Sequence, residues 1–243
     1  MAILTAENIT KSFGEKKVLN GVSIGLDEGE IVSLLGVSGG GKTTLFNVIS
    51  GIYTPDSGKI TLRGEDITGK PGKVSYMLQK DMLLPYKKVI DNVSLPLVLG
   101  GKSKKDARAE ADGYFKTFGL DAAQYSYPDE LSGGMKQRAA LLRTYLSSEG
   151  VALLDEPFSA LDAITKAKIH EWYLNIMSEI RLSTLFITHD VDEAILLSDR
   201  IYILNSGKIT AEIRINAAKP RANSFCLTDE FLEYKRTVTQ LLA

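Results

Sequence analysis

Short apolar runs rich in β-branched residues alternate along this chain with longer segments of helical periodicity, the order expected of a sheet wound with helices. Ile31-Val32-Ser33-Leu34-Leu35 reads as a buried strand. A glycine-rich stretch follows it, and then residues 43–50, where Leu45, Phe46, Val48 and Ile49 suit a buried helix closed by Gly51. The run Val151-Ala152-Leu153-Leu154 reads as a second buried strand. Thr54-Pro55-Asp56-Ser57-Gly58 and Asn205-Ser206-Gly207 are turn signals flanked by strand-like residues, and they predict small antiparallel pieces beside the main sheet.

Between Met82 and Leu131 the texture changes. Pro85, Pro96 and the pair Gly100-Gly101 break the chain before a helix expected to begin near Ser103. Ala107, Ala111, Tyr114, Phe115 and Phe118 form a stripe at helical spacing that ends at Gly119, so the same helix is predicted to run to that glycine. Such a stripe most simply packs. The expected organisation is one domain over residues 1–215 with a helical insert at about 83–140, followed by a short tail, 216–243, of weakly helical polar pattern. The tail is too short for an independent domain.

The 243 residues can bury one substantial core. Lys and Arg number 29 against 30 Asp and Glu, so no global basic field draws the chain to nucleic acid, and none is expected as a partner. One cysteine, Cys226, excludes an internal disulfide and suits a reducing compartment. No run approaches the ~18 apolar residues of a membrane helix, and the first residues lack the basic flank and apolar core of a signal peptide. The expected location is the cytoplasm.

The candidate chemistry begins at Gly36-Val37-Ser38-Gly39-Gly40-Gly41-Lys42-Thr43, which fits G-x-x-x-x-G-K-[ST] in the strand-to-helix setting that pattern requires. Gly36, Gly39, Gly40 and Gly41 let backbone N–H groups turn toward an anion at the positive end of a helix. Lys42 adds a charge for the β- and γ-phosphates of a nucleoside triphosphate, Thr43 a hydroxyl for Mg²⁺, and Thr44 a donor to an inner phosphate. The plain alternative, a glycine turn with an incidental lysine, does not account for this order of elements. Asp155 and Glu156 end the second buried strand, where the carboxyl edge of a parallel sheet meets its ligand. Asp155 can serve the metal shell and Glu156 the attacking water. Leu131-Ser132-Gly133-Gly134 opens an amphipathic helix with Ser132 as cap. Taken alone it is either a simple helix cap or a second anion site; beside one catalytic lysine, the latter points to phosphate held by another copy.

These segments together resemble the nucleotide-binding subunit of ATP-binding cassette (ABC) transporters, over Leu4 to about Ile215. Gly36 to Thr43 is similar to the Walker A motif, Leu131 to Gln137 to the signature motif, and Val151 to Pro157 to Walker B. Gln79 resembles the Q-loop glutamine that joins the metal site to the helical insert, and Ser159-Ala160-Leu161-Asp162 the D-loop. His189 resembles the switch histidine of the γ-phosphate, and Phe13 stands where the family stacks an aromatic ring on adenine. The resemblance implies an α/β P-loop NTPase core: a mainly parallel sheet flanked by helices, an antiparallel β subdomain and an inserted helical subdomain. It implies ATP and Mg²⁺ as cofactors, with Thr43, Gln79 and Asp155 at the metal, Lys42, Gln79, Glu156 and His189 in catalysis, and Phe13, Gly36, Ser38, Gly39, Gly40, Gly41, Lys42, Thr43, Thr44, Ser132, Gly133, Gly134 and Asp162 at nucleotide.

It further implies a homodimer of cassettes on the cytoplasmic face of a membrane, an integral permease subunit and an extracytoplasmic substrate-binding protein. Leu83-Leu84-Pro85-Tyr86 and residues 91–97 look most like importers of nitrate, sulfonates, taurine and thiamine precursors, although tryptophan is commoner where Tyr86 stands. A soluble cassette ATPase of iron–sulfur assembly or nucleic-acid repair would share the ATP chemistry. Against repair stand the missing coiled-coil insert and the balanced charge. A P-loop kinase needs no signature segment, and a GTPase would carry an Asn-Lys-x-Asp guanine reader that this sequence lacks.

Overall fold

Strands buried on both faces must be covered by helices on both faces, and the central strands here are of that kind. A computed structural model describes residues 2–159, 162–219, 221 and 223–242. The ladder runs β1 (Ala2–Phe13), β2 (Lys16–Asp27), β3 (Ile31–Leu35), β4 (Ser57–Leu62), β5 (Glu65–Asp66), β6 (Ser75–Met77), β7 (Val151–Asp155), β8 (Ser183–Thr188), β9 (Arg200–Asn205) and β10 (Lys208–Arg214). The helices are α1 (Lys42–Ile49), α2 (Val89–Val93), α3 (Leu95–Leu99), α4 (Lys104–Asp112), α5 (Gly133–Leu146), α6 (Ala163–Ile180), α7 (Val191–Leu197) and α8 (Asp229–Leu242). One sheet has the order β10-β9-β3-β8-β7-β6 and is parallel except for its β10 edge; the other, β2-β1-β4-β5, is antiparallel.

In the parallel sheet every residue of β3, β7 and β8 is buried. The two sheets close over α1, whose Leu45, Phe46, Val48 and Ile49 join Ile9, Leu19, Ile60 and Leu153 in one core. On the opposite side Phe115, Phe118, Leu142, Phe158, Tyr173 and Phe186 fill a second core beneath α5 and α6. The turn at Asn205-Ser206-Gly207 joins β9 to β10 as expected, while Thr54 to Gly58 leads into β4, which pairs antiparallel with β1 and β5.

Helices α2, α3 and α4 pack on one another, and α2 and α3 also on α5. Asn92, fully buried, donates to the carbonyls of Leu84, Lys87 and Lys88 and accepts from Leu84 N at 2.6 Å, fixing the loop that enters this unit. Arg108 grips Asp91 with two nearly parallel bonds of 2.9 and 2.8 Å and so joins α4 to α2. The helix expected to reach Gly119 stops at Asp112, capped by Gly113. From there Tyr114 and Phe115 donate to carbonyls three residues back, and the chain continues as tight turns. Phe115 and Phe118 are still fully buried, so the apolar stripe reports burial correctly while overstating helix length.

The tail is more ordered than its weak pattern suggests. Residues 229–242 form α8, which buries Phe231 and Val238 against a third core with Leu35, Ile195 and Ile201. Arg221, 3% exposed, donates to the carbonyls of Ile195, Leu196 and Ser198 and to those of Ile215 and Ala217. It thereby satisfies groups that the end of α7 leaves open. Phe231→Ala should lower unfolding stability by about 3 kcal/mol in one cooperative transition, measured by chemical denaturation; a loss below ~0.5 kcal/mol would mean α8 is not part of the folded unit.

Candidate active site

The glycine loop leaves β3 at Gly36, where a Cβ would lie 2.2 Å from the Leu204 carbonyl oxygen of β9, so only glycine fits. At the other end Gly41 caps α1 with φ +102°, and an added Cβ would press on Val18 and Leu19 at 3.1 Å. Between them the chain turns tightly enough for Lys42 Nζ to donate back to the carbonyls of Gly36 at 2.8 Å and Val37 at 3.0 Å. Lys42 is 7% exposed, and burial pulls its ammonium below the ordinary lysine range, opposed by attraction to Glu156 and Asp155.

Above the loop opens a cleft of ≈ 390 Å³ whose lining includes Phe13, Ser38, Gly39, Gly41, Lys42, Thr43, Thr44 and Glu156. Phe13 is 46% exposed at its rim, edge-on to Tyr53 with ring centroids 5.5 Å apart. Lys16 and Val18 of β2 line it as well, and no sequence motif marks them.

Asp155 closes β7 with 6% exposure. Burial pushes its carboxyl above the ordinary range and Glu156 adds to the rise, against hydrogen bonds from Tyr76 and Thr43 and the charge of Lys42. The Tyr76 hydroxyl donates at 3.2 Å. Nothing in the spacing of motifs identified Tyr76; its signal is only its place on β6, beside β7.

Glu156 turns out of the strand at φ +45°, a left-handed backbone that a side chain adopts at some cost, and its N–H bonds the Ile187 carbonyl at 3.1 Å. The turn aims its carboxylate between two other expected residues. Gln79 Nε2 donates to Oε2 at 3.1 Å, and His189 Nδ1 stands 3.4 Å from Oε1. Gln79, Glu156 and His189 also share a second cavity, of ≈ 710 Å³, with Gln137 and Ser159. Glu156 therefore borders both spaces.

Ser132 caps α5 by accepting from Met135 N at 3.3 Å, with Gly133 and Gly134 in the first turn. Asp162 likewise accepts from Thr165 N at 3.0 Å at the start of α6. Among the described residues, neither cavity is lined by Ser132, Gly133, Gly134 or Asp162. Ala160 and Leu161 of the expected D-loop lie outside the described residues. Among those described, no helix is long and apolar enough to cross a membrane.

A lysine-bearing glycine loop between a buried parallel strand and a helix, facing an acidic pair at the end of a nearby strand, defines a P-loop nucleoside triphosphatase. The family model described as ABC transporter matches residues 19–159, over half of the sequence, and the chain belongs to that family. The match spans the glycine loop, Gln79, the Ser132 segment and the acidic pair; Phe13, Asp162 and His189 lie outside it.

Among curated relatives, the formylaminopyrimidine import ATP-binding protein ThiZ of Halalkalibacterium halodurans is 43% identical over 84% of this chain and 80% of its own length. The nitrate import ATP-binding protein NrtD of Synechocystis sp. is 38% identical over 94% and 89%. A dimeric structure of the ATP-binding cassette MJ0796 in a post-hydrolysis state bound to ADP and Pi matches with TM-score 0.75 at 28% identity, covering 88% of this chain and all of that one. The chain is an ATP-binding cassette ATPase of the nitrate, sulfonate and thiamine-precursor group.

A carboxyl raised by burial is protonated more readily folded than unfolded, so its charged form is a net cost to folding at neutral pH and that cost vanishes as pH falls. Asp155→Asn should therefore raise the melting temperature of the nucleotide-free protein at pH 7. Its advantage over wild type should shrink toward pH ~4, where ordinary carboxyls protonate; calorimetry showing a gain independent of pH would contradict the burial argument.

Proposed function

We propose that this chain is the ATP-hydrolysing subunit of an importer, working as a head-to-tail pair of cassettes on the cytoplasmic face of a membrane beside a separate permease. The observation that carries it is the position of Glu156, bordering both cavities and held between Gln79 and His189, while the Ser132 helix end lines neither cavity of its own copy. A complete site then needs the Ser132-Gly133-Gly134 turn of a second copy.

In this reading the adenine base rests on Phe13 and the triphosphate lies along the loop from Ser38 to Thr44. Lys42 exchanges its carbonyl partners, Gly36 and Val37, for β- and γ-phosphate oxygens. Gly36 itself holds the loop against β9. Asp155 and Thr43, with Gln79 at the opposite rim, would hold Mg²⁺, which supplies charge neutralisation between the phosphates when bound. The donor set fits that ion, because one oriented buried carboxylate and a hydroxyl leave room for waters and phosphate oxygens. Glu156 orients and deprotonates the attacking water, and His189 hydrogen-bonds the γ-phosphate. Asp162 sits near the contact between copies.

The import reading, an extracytoplasmic substrate-binding protein, and cargo in the class of small anions or vitamin precursors rest on the relatives ThiZ and NrtD, whose names are those of import proteins. Those same names argue against the soluble scaffold alternative.

Glu156→Gln should retain ATP binding while hydrolysis falls by ~10²-fold or more, and with ATP it should accumulate as a dimer by light scattering. Adding Ser132→Arg should abolish that dimer without loss of ATP binding, and a persisting dimer would sink the paired arrangement. Tagged Glu156→Gln, drawn with ATP from detergent-solubilised native membranes, should retain a multi-span membrane protein identifiable by mass spectrometry. Recovery of soluble partners alone would favour a scaffold ATPase.

A further inference from the structure

Between α6 and α7 lies a cluster of charged side chains that no step above uses. Glu193, 4% exposed, receives Lys166 Nζ at 2.7 Å and His170 Nε2 at 3.2 Å on Oε1, and the Thr188 hydroxyl at 2.5 Å on Oε2. The same ammonium reaches Asp190 Oδ2 at 2.9 Å. Thr188 and Asp190 are the two neighbours of His189 in the chain, and Asp190 N donates to Thr188 Oγ1 at 3.0 Å. The backbone is thus tied on both sides of the histidine, whose own side chain is 59% exposed.

The other end of the cluster is anchored in α6. Lys166 N donates to the Asp162 carbonyl at 2.8 Å, inside the turn that Asp162 caps. One helical turn further on, the ring of His170 stands edge-on to Phe158 with centroids 4.8 Å apart, and Phe158 lies two residues after Glu156. One helix face therefore touches the segments that carry both Glu156 and His189.

Burying ion pairs is a poor route to stability, since well-packed apolar side chains of similar volume do as well or better. What such a network supplies is a fixed geometry. We propose that Lys166 is a positioning residue that sets His189 against Glu156, by joining the first turns of α6 to both flanks of the histidine. The inference rests on the role given to His189 above.

A double-mutant cycle of Lys166→Met and His189→Ala tests it, read by steady-state ATPase kinetics and by binding of a fluorescent ATP analogue. Lys166→Met should lower kcat roughly 10- to 100-fold, the scale of a misplaced reacting group, and shift KM by less than ~3-fold, since its contacts are not with nucleotide. Lys166→Arg should restore most of the rate. In the His189→Ala background Lys166→Met should cost less than ~2-fold, because the residue it positions is already gone. Full multiplication of the two losses, or a loss expressed in KM, overturns the positioning role. Wild-type rates in His189→Ala alone would overturn the histidine's role and this inference with it. Should Lys166→Met fail to fold, Thr188→Val removes a link of the same network while keeping every charge, and the same non-multiplying pattern is expected of it.

Discussion

The parallel register of three strands is the constraint on which the site depends. Leu35 pairs with Thr188, and Asp155 with Ile187, so β3, β8 and β7 finish at one level of the sheet. Within a residue or two of that level the chain turns into the glycine loop, into Glu156 and into His189. Parallel strands require long crossovers between them, and here α1, α5 and α6 lie in those crossovers. Residues more than a hundred positions apart in sequence meet because hydrogen-bonded pairing sets where each strand ends. Their local sequences contribute the turns and the reactive groups.

Charge and burial pull against each other at this edge. Lys42 and Asp155 are both removed from water, and for each, desolvation is the largest influence on its proton affinity. Each carries the other as partial compensation, along with the Tyr76 hydroxyl for the carboxylate. Such a site, where burial opposes both charges, is well suited to a ligand that brings both negative oxygens and a cation. The left-handed turn at Glu156 adds a local cost that aims its carboxylate between Gln79 and His189.

How far the sequence exposes this arrangement differs by element. The mostly apolar, fully buried strands β3 and β7 and the buried apolar face of α1 are legible in the sequence. The hairpin of β1 and β2 is hard to see because its pairing slips at several points, which breaks the alternation a strand would otherwise show. α4 is overextended in the sequence reading because Phe115 and Phe118 keep helical spacing after Gly113 has ended the helix. Lys42, Asp155, Glu156 and Ser132 announce themselves through spacing. Lys16, Tyr76 and Lys166 do not, because what places them is pairing or packing with chain segments far away, and a single sequence carries no record of those contacts.

The pinning of α7 at both ends has a mechanical meaning. Asp190 holds its first turn through the N–H groups of residues 192 and 193, and Arg221 gathers the carbonyls at its last. A helix clamped in this way does not fray to absorb a displacement. It behaves as a stiff rod with the histidine at one tip and the tail at the other, with α8 seated alongside. A movement at the tip would therefore be passed on toward the C-terminal segment, across the core that Leu35, Ile195 and Ile201 share with Phe231 and Val238.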